Sequence, residues 1–239
     1  MNQLNKEYIH LLLHSGVNYF QNENPNNFFE NYGSNRKIDS IKSSKKNLSE
    51  VNKIEDLVNI LDSLNNPLKK TAKKTVVFDG NQDSNLMIIG EAPGKDEDDQ
   101  GKPFVGKAGQ LLNKMLDAIN LRREEVYITN VVPWRPPNNR TPTEDEILEL
   151  LPFLQRQIDI IKPKFIYLLG LTAVKAILST PLSLSKLRGK WQTYKSMNLT
   201  DPINVLVSYH PAFLLRSPQY KKEAWLDLQM LQKKINNES

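Results

Sequence analysis

Leu86-Met87-Ile88-Ile89-Gly90-Glu91-Ala92-Pro93-Gly94 sets four consecutive apolar residues directly before a polar turn rich in Gly and Pro. A run that is apolar at every position, rather than at every second one, reads as a strand buried on both faces. Three more such runs follow, at 126–132, 165–169 and 203–207. After each strand the apolar residues fall at helical spacing. Residues 108–119 carry Leu111, Leu112, Met115, Leu116 and Ile119, and 143–161, 172–178 and 219–235 repeat the pattern. Upstream, Ile54, Leu57, Val58, Leu61 and Leu64 predict a helix within 49–64, closed by Asn65-Asn66-Pro67. This alternation predicts an α/β fold: a three-layer α/β/α sandwich around a central four-stranded parallel sheet, with 76–78 as a candidate edge strand.

The chain of 239 residues is long enough for one large domain with an appendage. Residues 1–50 are rich in Asn, Lys and Ser, with one short apolar helix candidate (Tyr8, Ile9, Leu11, Leu12). They read as a partly helical or disordered extension, and 51–239 as the folded domain. No internal repeat is visible. No stretch of 18 apolar residues occurs and the N-terminus has no basic-then-apolar pattern, so a cytoplasmic protein without a membrane partner is expected, nucleoid-associated if prokaryotic.

Cysteine is absent. That excludes disulfides, thiolate catalysis and any Cys-ligated zinc or iron–sulfur centre, and three His leave little for a His-rich metal site. The net charge is +5, but the segment 91–99 alone carries −4, so the remainder carries +9. A basic body around an acidic pocket suits carboxylate chemistry on a bound polyanion.

The unusual polar clusters all follow strand ends. Gly90-Glu91-Ala92-Pro93-Gly94 follows the first core strand, Asn130 lies in the second, Gly170 follows the third and Tyr209-His210-Pro211-Ala212 the fourth. Ligands of open α/β sheets bind outside the carboxyl ends of strands, so one crevice built by four distant loops is expected. The first loop is neither a dinucleotide fingerprint nor a phosphate-binding P-loop, and no Ser nucleophile elbow occurs. Carboxylates, one amide, one imidazole and Phe104 remain. They suit hydrolysis of a bond to a planar, hydrogen-bonding leaving group.

Several blocks in order carry a resemblance: Gly90-Glu91-Ala92-Pro93-Gly94, Glu97-Asp98, Gly101-Lys102-Pro103-Phe104-Val105-Gly106-Lys107-Ala108-Gly109, Thr129-Asn130-Val131-Val132, Arg135-Pro136-Pro137-Asn138-Asn139-Arg140, and His210-Pro211-Ala212-Phe213-Leu214-Leu215-Arg216. From about Val76 to the C-terminal helix the chain closely resembles the family 4 uracil-DNA glycosylases. The resemblance implies the same sandwich fold and hydrolytic release of uracil from DNA, leaving an abasic site, by a monomer acting on single- or double-stranded substrate. It implies that Phe104 stacks on the flipped uracil, that Asn130 reads its O4 and N3–H, and that Ala92 belongs to the wall rejecting thymine. It further implies that His210 faces uracil O2, that Glu91 and Glu97 lie near the sugar, and that Asn139 helps hold water. Leu214, Leu215 and Arg216 would enter the duplex, while Lys186, Arg188 and Lys190 would contact phosphate. Asp96, Asp98 and Asp99 are expected to be solvated.

Most members of that family carry four Cys on an iron–sulfur cluster. Here Leu64, Pro67, Trp134 and Leu150 stand at about those places. No cofactor and no metal site is therefore expected, and a hydrophobic plug of these side chains is expected instead. Some relatives trap uracil covalently through a His before the fourth strand; 186–191 has none, so turnover is expected. Two other classes stay open on the sequence: a divalent-metal phosphohydrolase using the acids of 91–99, and a non-catalytic DNA-binding module.

Overall fold

The structure is a computed structural model and describes residues 48–238. The expected extension therefore lies outside the described residues up to 47. Leu48 and Val51 are already buried in the core, and Arg156 donates to the Val51 carbonyl (2.6 Å).

The sheet has six strands rather than four. β1 (Phe78–Gly80), β2 (Leu86–Gly90), β3 (Tyr127–Asn130), β4 (Phe165–Leu169), β5 (Trp191–Tyr194) and β6 (Ile203–Ser208) lie in the order β1-β3-β2-β4-β6-β5. The central four, β3-β2-β4-β6, are parallel, while β1 and β5 add antiparallel edges. β1 is three residues long and β5 has no continuous apolar run, so neither gives the signal of a buried strand.

Side-chain alternation builds the layers. Met87, Ile89, Ile166, Leu168, Val205 and Val207 point to one face; Leu86, Ile88, Phe165, Tyr167, Leu169 and Leu206 point to the other. The first face is covered by α1 (Ile54–Ser63), α2 (Pro67–Thr71), α5 (Glu144–Ile161) and α6 (Leu171–Leu178). The second is covered by α4 (Lys107–Asp117), α8 (Pro211–Arg216) and α9 (Lys221–Asn237). Two short helices, α3 (Lys95–Gln100) and α7 (Leu184–Leu187), complete the α-helices of the described residues. Burying each large aliphatic side chain is worth about 1.5–3 kcal/mol, so both faces contribute heavily.

Local chemistry sets the helix ends. Thr143 and Glu146 form a reciprocal capping box at the start of α5, each side chain accepting the other's backbone N–H (3.2 and 2.8 Å). The acidic α3 is polar all round, yet its first turn holds Asp96, Glu97 and Asp98, where the helix dipole favours negative charge. Regular pairing of β3 stops at Asn130, although the N–H groups of Val131 and Val132 still donate to the carbonyls of Gly90 and Glu91.

Candidate active site

Because β2, β3, β4 and β6 are parallel, their carboxyl ends share one edge. Gly90 pairs with Asn130 across β2 and β3, and Leu169 with Ser208 across β4 and β6. Phe104 closes over this edge. Its buried ring abuts Gly90, where an added Cβ would lie 2.4 Å from the ring tip and 2.5 Å from the Asn130 side-chain oxygen. Only a residue without a side chain lets the phenyl ring and the amide meet over the strand. The ring also stacks on the His210 imidazole, with centroids 5.4 Å apart. Gly170, at φ 93°, makes room for His210 from below. Phe104, Asn130 and His210 thus line one small site.

Asn130 is almost fully buried, yet its amide has no hydrogen-bond partner among the described residues and is not sealed from solvent. Its donor and acceptor are therefore free of protein partners at the strand end. His210 is defined further. Its Nδ1 accepts the backbone N–H of Ala212 (3.1 Å), so the neutral ring carries its proton on Nε2. Burial, and then the positive charge of Arg216, lower its pKa from 6.5 to about 4. The imidazole is a neutral donor at ordinary pH.

The acidic segment separates into distinct tasks. The half-buried Glu91 accepts the hydroxyl of Thr172, which sits in the first turn of α6, and its other carboxylate oxygen has no partner among the described residues. Glu97 behaves differently from the expected catalytic acid. One of its oxygens accepts the N–H groups of Val105 and Gly106 (both 2.9 Å) and the other that of Gly94 (3.1 Å). It shapes the Phe104 loop with both of its oxygens, whereas Glu91 keeps one oxygen without a partner among the described residues. Asp98 is buried instead of solvated: it accepts the N–H groups of Lys73 (2.7 Å) and Lys74 (3.2 Å) and faces Arg135 at 3.9 Å. Asp99 pairs with Lys73, and Asp96 is exposed. With its acids dispersed in this way, the segment forms no group of three that could hold a cation among the described residues.

Other expected residues lie further out. Asn139 is exposed at φ 55°, and its side-chain oxygen accepts Arg135 Nε (2.7 Å). Ala92 is half-buried beside the first core face. Arg188 is not free for phosphate: it bonds Asp227 (2.9 Å), the Glu223 carbonyl (2.7 Å) and the Glu223 carboxylate (3.1 Å), and lies over the Tyr209 ring at 5.2 Å. It braces the residue preceding His210. Lys186 and Lys190 are exposed, and the pairing of Trp191 with Leu206 puts Lys190 at the same sheet edge as the site. Within α8 the two leucines part company. Leu214 is buried against α4 and α9, while Leu215 and Arg216 are exposed. Leu214 therefore anchors the helix and cannot act as a wedge.

The family model described as the uracil DNA glycosylase superfamily matches residues 77–229. The chain belongs to this superfamily. Among curated proteins, the type-4 uracil-DNA glycosylase of Pyrobaculum aerophilum is 40% identical over 183 residues, spanning 76% of this chain and 92% of the relative. Those of Archaeoglobus fulgidus (42% over 160 residues, 65% of this chain and 79% of the relative) and Sulfurisphaera tokodaii (46% over 149 residues, 60% and 67%) are similar to it as well.

Against type-4 uracil-DNA glycosylases, the positions expected to replace the cluster ligands do not fit an iron–sulfur centre. None offers a thiolate, and Trp134 and Leu150 are fully buried in the first core face, where side chains occupy the space. Leu64 packs partly against the same core, but Pro67 is exposed, so the buried neighbour from α2 is Leu68. Thr172 was the part of this glycosylase site least visible in sequence. Thr172 carried only the faint signal of a polar residue opening the helix after a core strand.

Proposed function

We propose that this protein flips uracil out of DNA and hydrolyses the bond between its N1 and the sugar C1′, leaving an abasic site. The carrying observation is the Ala212 N–H bond to His210 Nδ1, which fixes a neutral imidazole with its proton on Nε2, in a ring stacked on Phe104. As the bond breaks, uracil leaves with negative charge on O2, and a preorganised donor there acts like an oxyanion hole. Phe104 supplies the stacking face, which contributes about 1–3 kcal/mol per base. Asn130 offers one donor and one acceptor to uracil N3–H and O4, and Ala92 lies toward the wall that would exclude a methyl group. Glu91, oriented by Thr172, holds the attacking water and faces the cationic sugar. Asn139 stays a candidate water contact through the Arg135 loop, and Glu97 serves the reaction by shaping the Phe104 loop.

DNA is bound over the same edge, with Lys186, Lys190 and Arg216 as phosphate contacts and Leu215 as the wedge filling the vacated stack. The working species is a monomer without a resident cofactor, its 64–68 segment joined to the Trp134 loop by packing. Incubation with single-stranded and duplex DNA carrying one uracil, in EDTA, followed by alkaline cleavage tests the reading. Strand scission at the uracil is expected; none with either substrate would end it.

The two leucines of α8 give opposite results. Leu214→Ala is expected to cost about 2–5 kcal/mol in urea unfolding, because it empties a packed site. Leu215→Ala leaves stability within about 0.5 kcal/mol and slows excision from duplex more than from single strands. Equal slowing on both substrates would remove the wedge role.

A further inference from the structure

Phe104 has φ 52°, a left-handed conformation that a large side chain adopts only when its surroundings impose it. Two oppositely charged side chains, both largely buried, do so from either side. Glu97 takes the N–H groups that follow Phe104, at Val105 and Gly106. Arg123 takes the carbonyls that precede them: its guanidinium donates to the Phe104 carbonyl (2.9 Å) and, through the other amino group, to that of Pro103. Arg123 is itself fixed. Its Nε donates to Asp79 on β1 (2.7 Å), and Nη1 also reaches the Asn113 side chain (3.1 Å). Lys102 adds a second cation at 3.2 Å from Asp79. Burial pushes the Asp79 carboxyl upward, but Arg123 and then Lys102 hold it below the usual range, so the anchor stays charged. Gly109 completes the seat, since a Cβ there would lie 1.8 Å from the Phe104 carbonyl oxygen.

We propose that Arg123, anchored by Asp79, is a positioning residue that holds the Phe104 ring in the geometry needed to stack on the flipped base. This assignment rests on the glycosylase reading and extends it to residues remote from the base. Arg123 lies 19 positions beyond Phe104 in the chain, in a short turn before β3 that carries no motif. Lys cannot replace it, because only a guanidinium reaches two carbonyls and a carboxylate at once.

The test is a double-mutant cycle read by single-turnover excision from single-stranded DNA carrying one uracil, with thermal melting of each variant. Arg123→Met in the native background is expected to slow excision between about tenfold and a hundredfold, the scale of a misplaced contact group. On a Phe104→Ala background the same change is expected to alter the rate by less than about twofold, since the ring it positions is gone. A merely structural role would slow both backgrounds alike, and that result, or no slowing in the native background, overturns the proposal. If Arg123→Met does not fold, Arg123→Lys is read in the same cycle with the same criteria. Absence of any product from the unmodified protein would instead defeat the glycosylase reading itself.

Discussion

His210→Ala slows uracil release by about 10²–10³-fold while changing the affinity for uracil-containing DNA only a few-fold. That range is what removal of one preorganised donor to a developing oxyanion costs, and the donor is needed only as charge moves onto uracil O2. Single-turnover rates and equilibrium binding to a non-cleavable analogue separate the two quantities. Equal losses in rate and affinity would mean that His210 serves the bound ground state. The pH dependence follows from the same geometry. With a pKa lowered by burial and Arg216 to about 4, the ring stays neutral through pH 6.5, so excision shows no His210 inflection there and falls only on approach to pH 4. The sign for stability is also fixed. Between pH 6.5 and about 4 the unfolded chain binds a proton that the folded one refuses, so stability declines as pH falls through that window. It levels off below, and above 6.5 the group contributes nothing.

Trp134→Ala is expected to cost about 3–5 kcal/mol, which for a domain of this size lowers the melting temperature by on the order of 10 °C. The indole is fully buried among the residues of the first core face, and its N–H is satisfied by the Thr75 hydroxyl (3.0 Å), which in turn donates to Asp62. Trp134→Phe keeps most of the volume and is expected to recover most of the loss. Trp134 lies four residues after Asn130, so the variant also slows excision when heated toward its own transition. Purified active protein should contain no stoichiometric iron or sulfide. Metal found at one cluster per chain, or a melting temperature unmoved by Trp134→Ala, would overturn the packing account.

The central strands and the edge at which the site forms could be read from the sequence because parallel buried strands are apolar throughout and their polar loops must emerge at one end. The edges could not. Trp191-Gln192-Thr193-Tyr194, directly after the basic residues of 186–190, carried no strand signal because nothing in four such residues distinguishes an edge strand from a loop. Roles within the site divided on where hydrogen bonds end. Glu91 and Glu97 are the same residue type six positions apart, and only coordinates reveal that the backbone consumes both oxygens of Glu97. Arg188 was misread for the same reason, since its partners Glu223 and Asp227 lie on a helix about 35 to 39 positions away. Leu214 and Leu215 are neighbours in sequence, yet successive helical positions point about 100° apart, which sends one into the core and the other to solvent.

The strand order has a consequence for synthesis. Phe104 and Asn130 are made early, in the β2–β3 connection and at the end of β3, whereas His210 arrives only with β6, which must slot between β4 and β5. A nascent or proteolysed chain that stops before β6 holds Phe104 and Asn130 but not His210. Such a fragment also exposes the unpaired side of β4 to any passing strand. Pairing of β6 with β4 is therefore the step that brings His210 to the edge where Phe104 and Asn130 already lie.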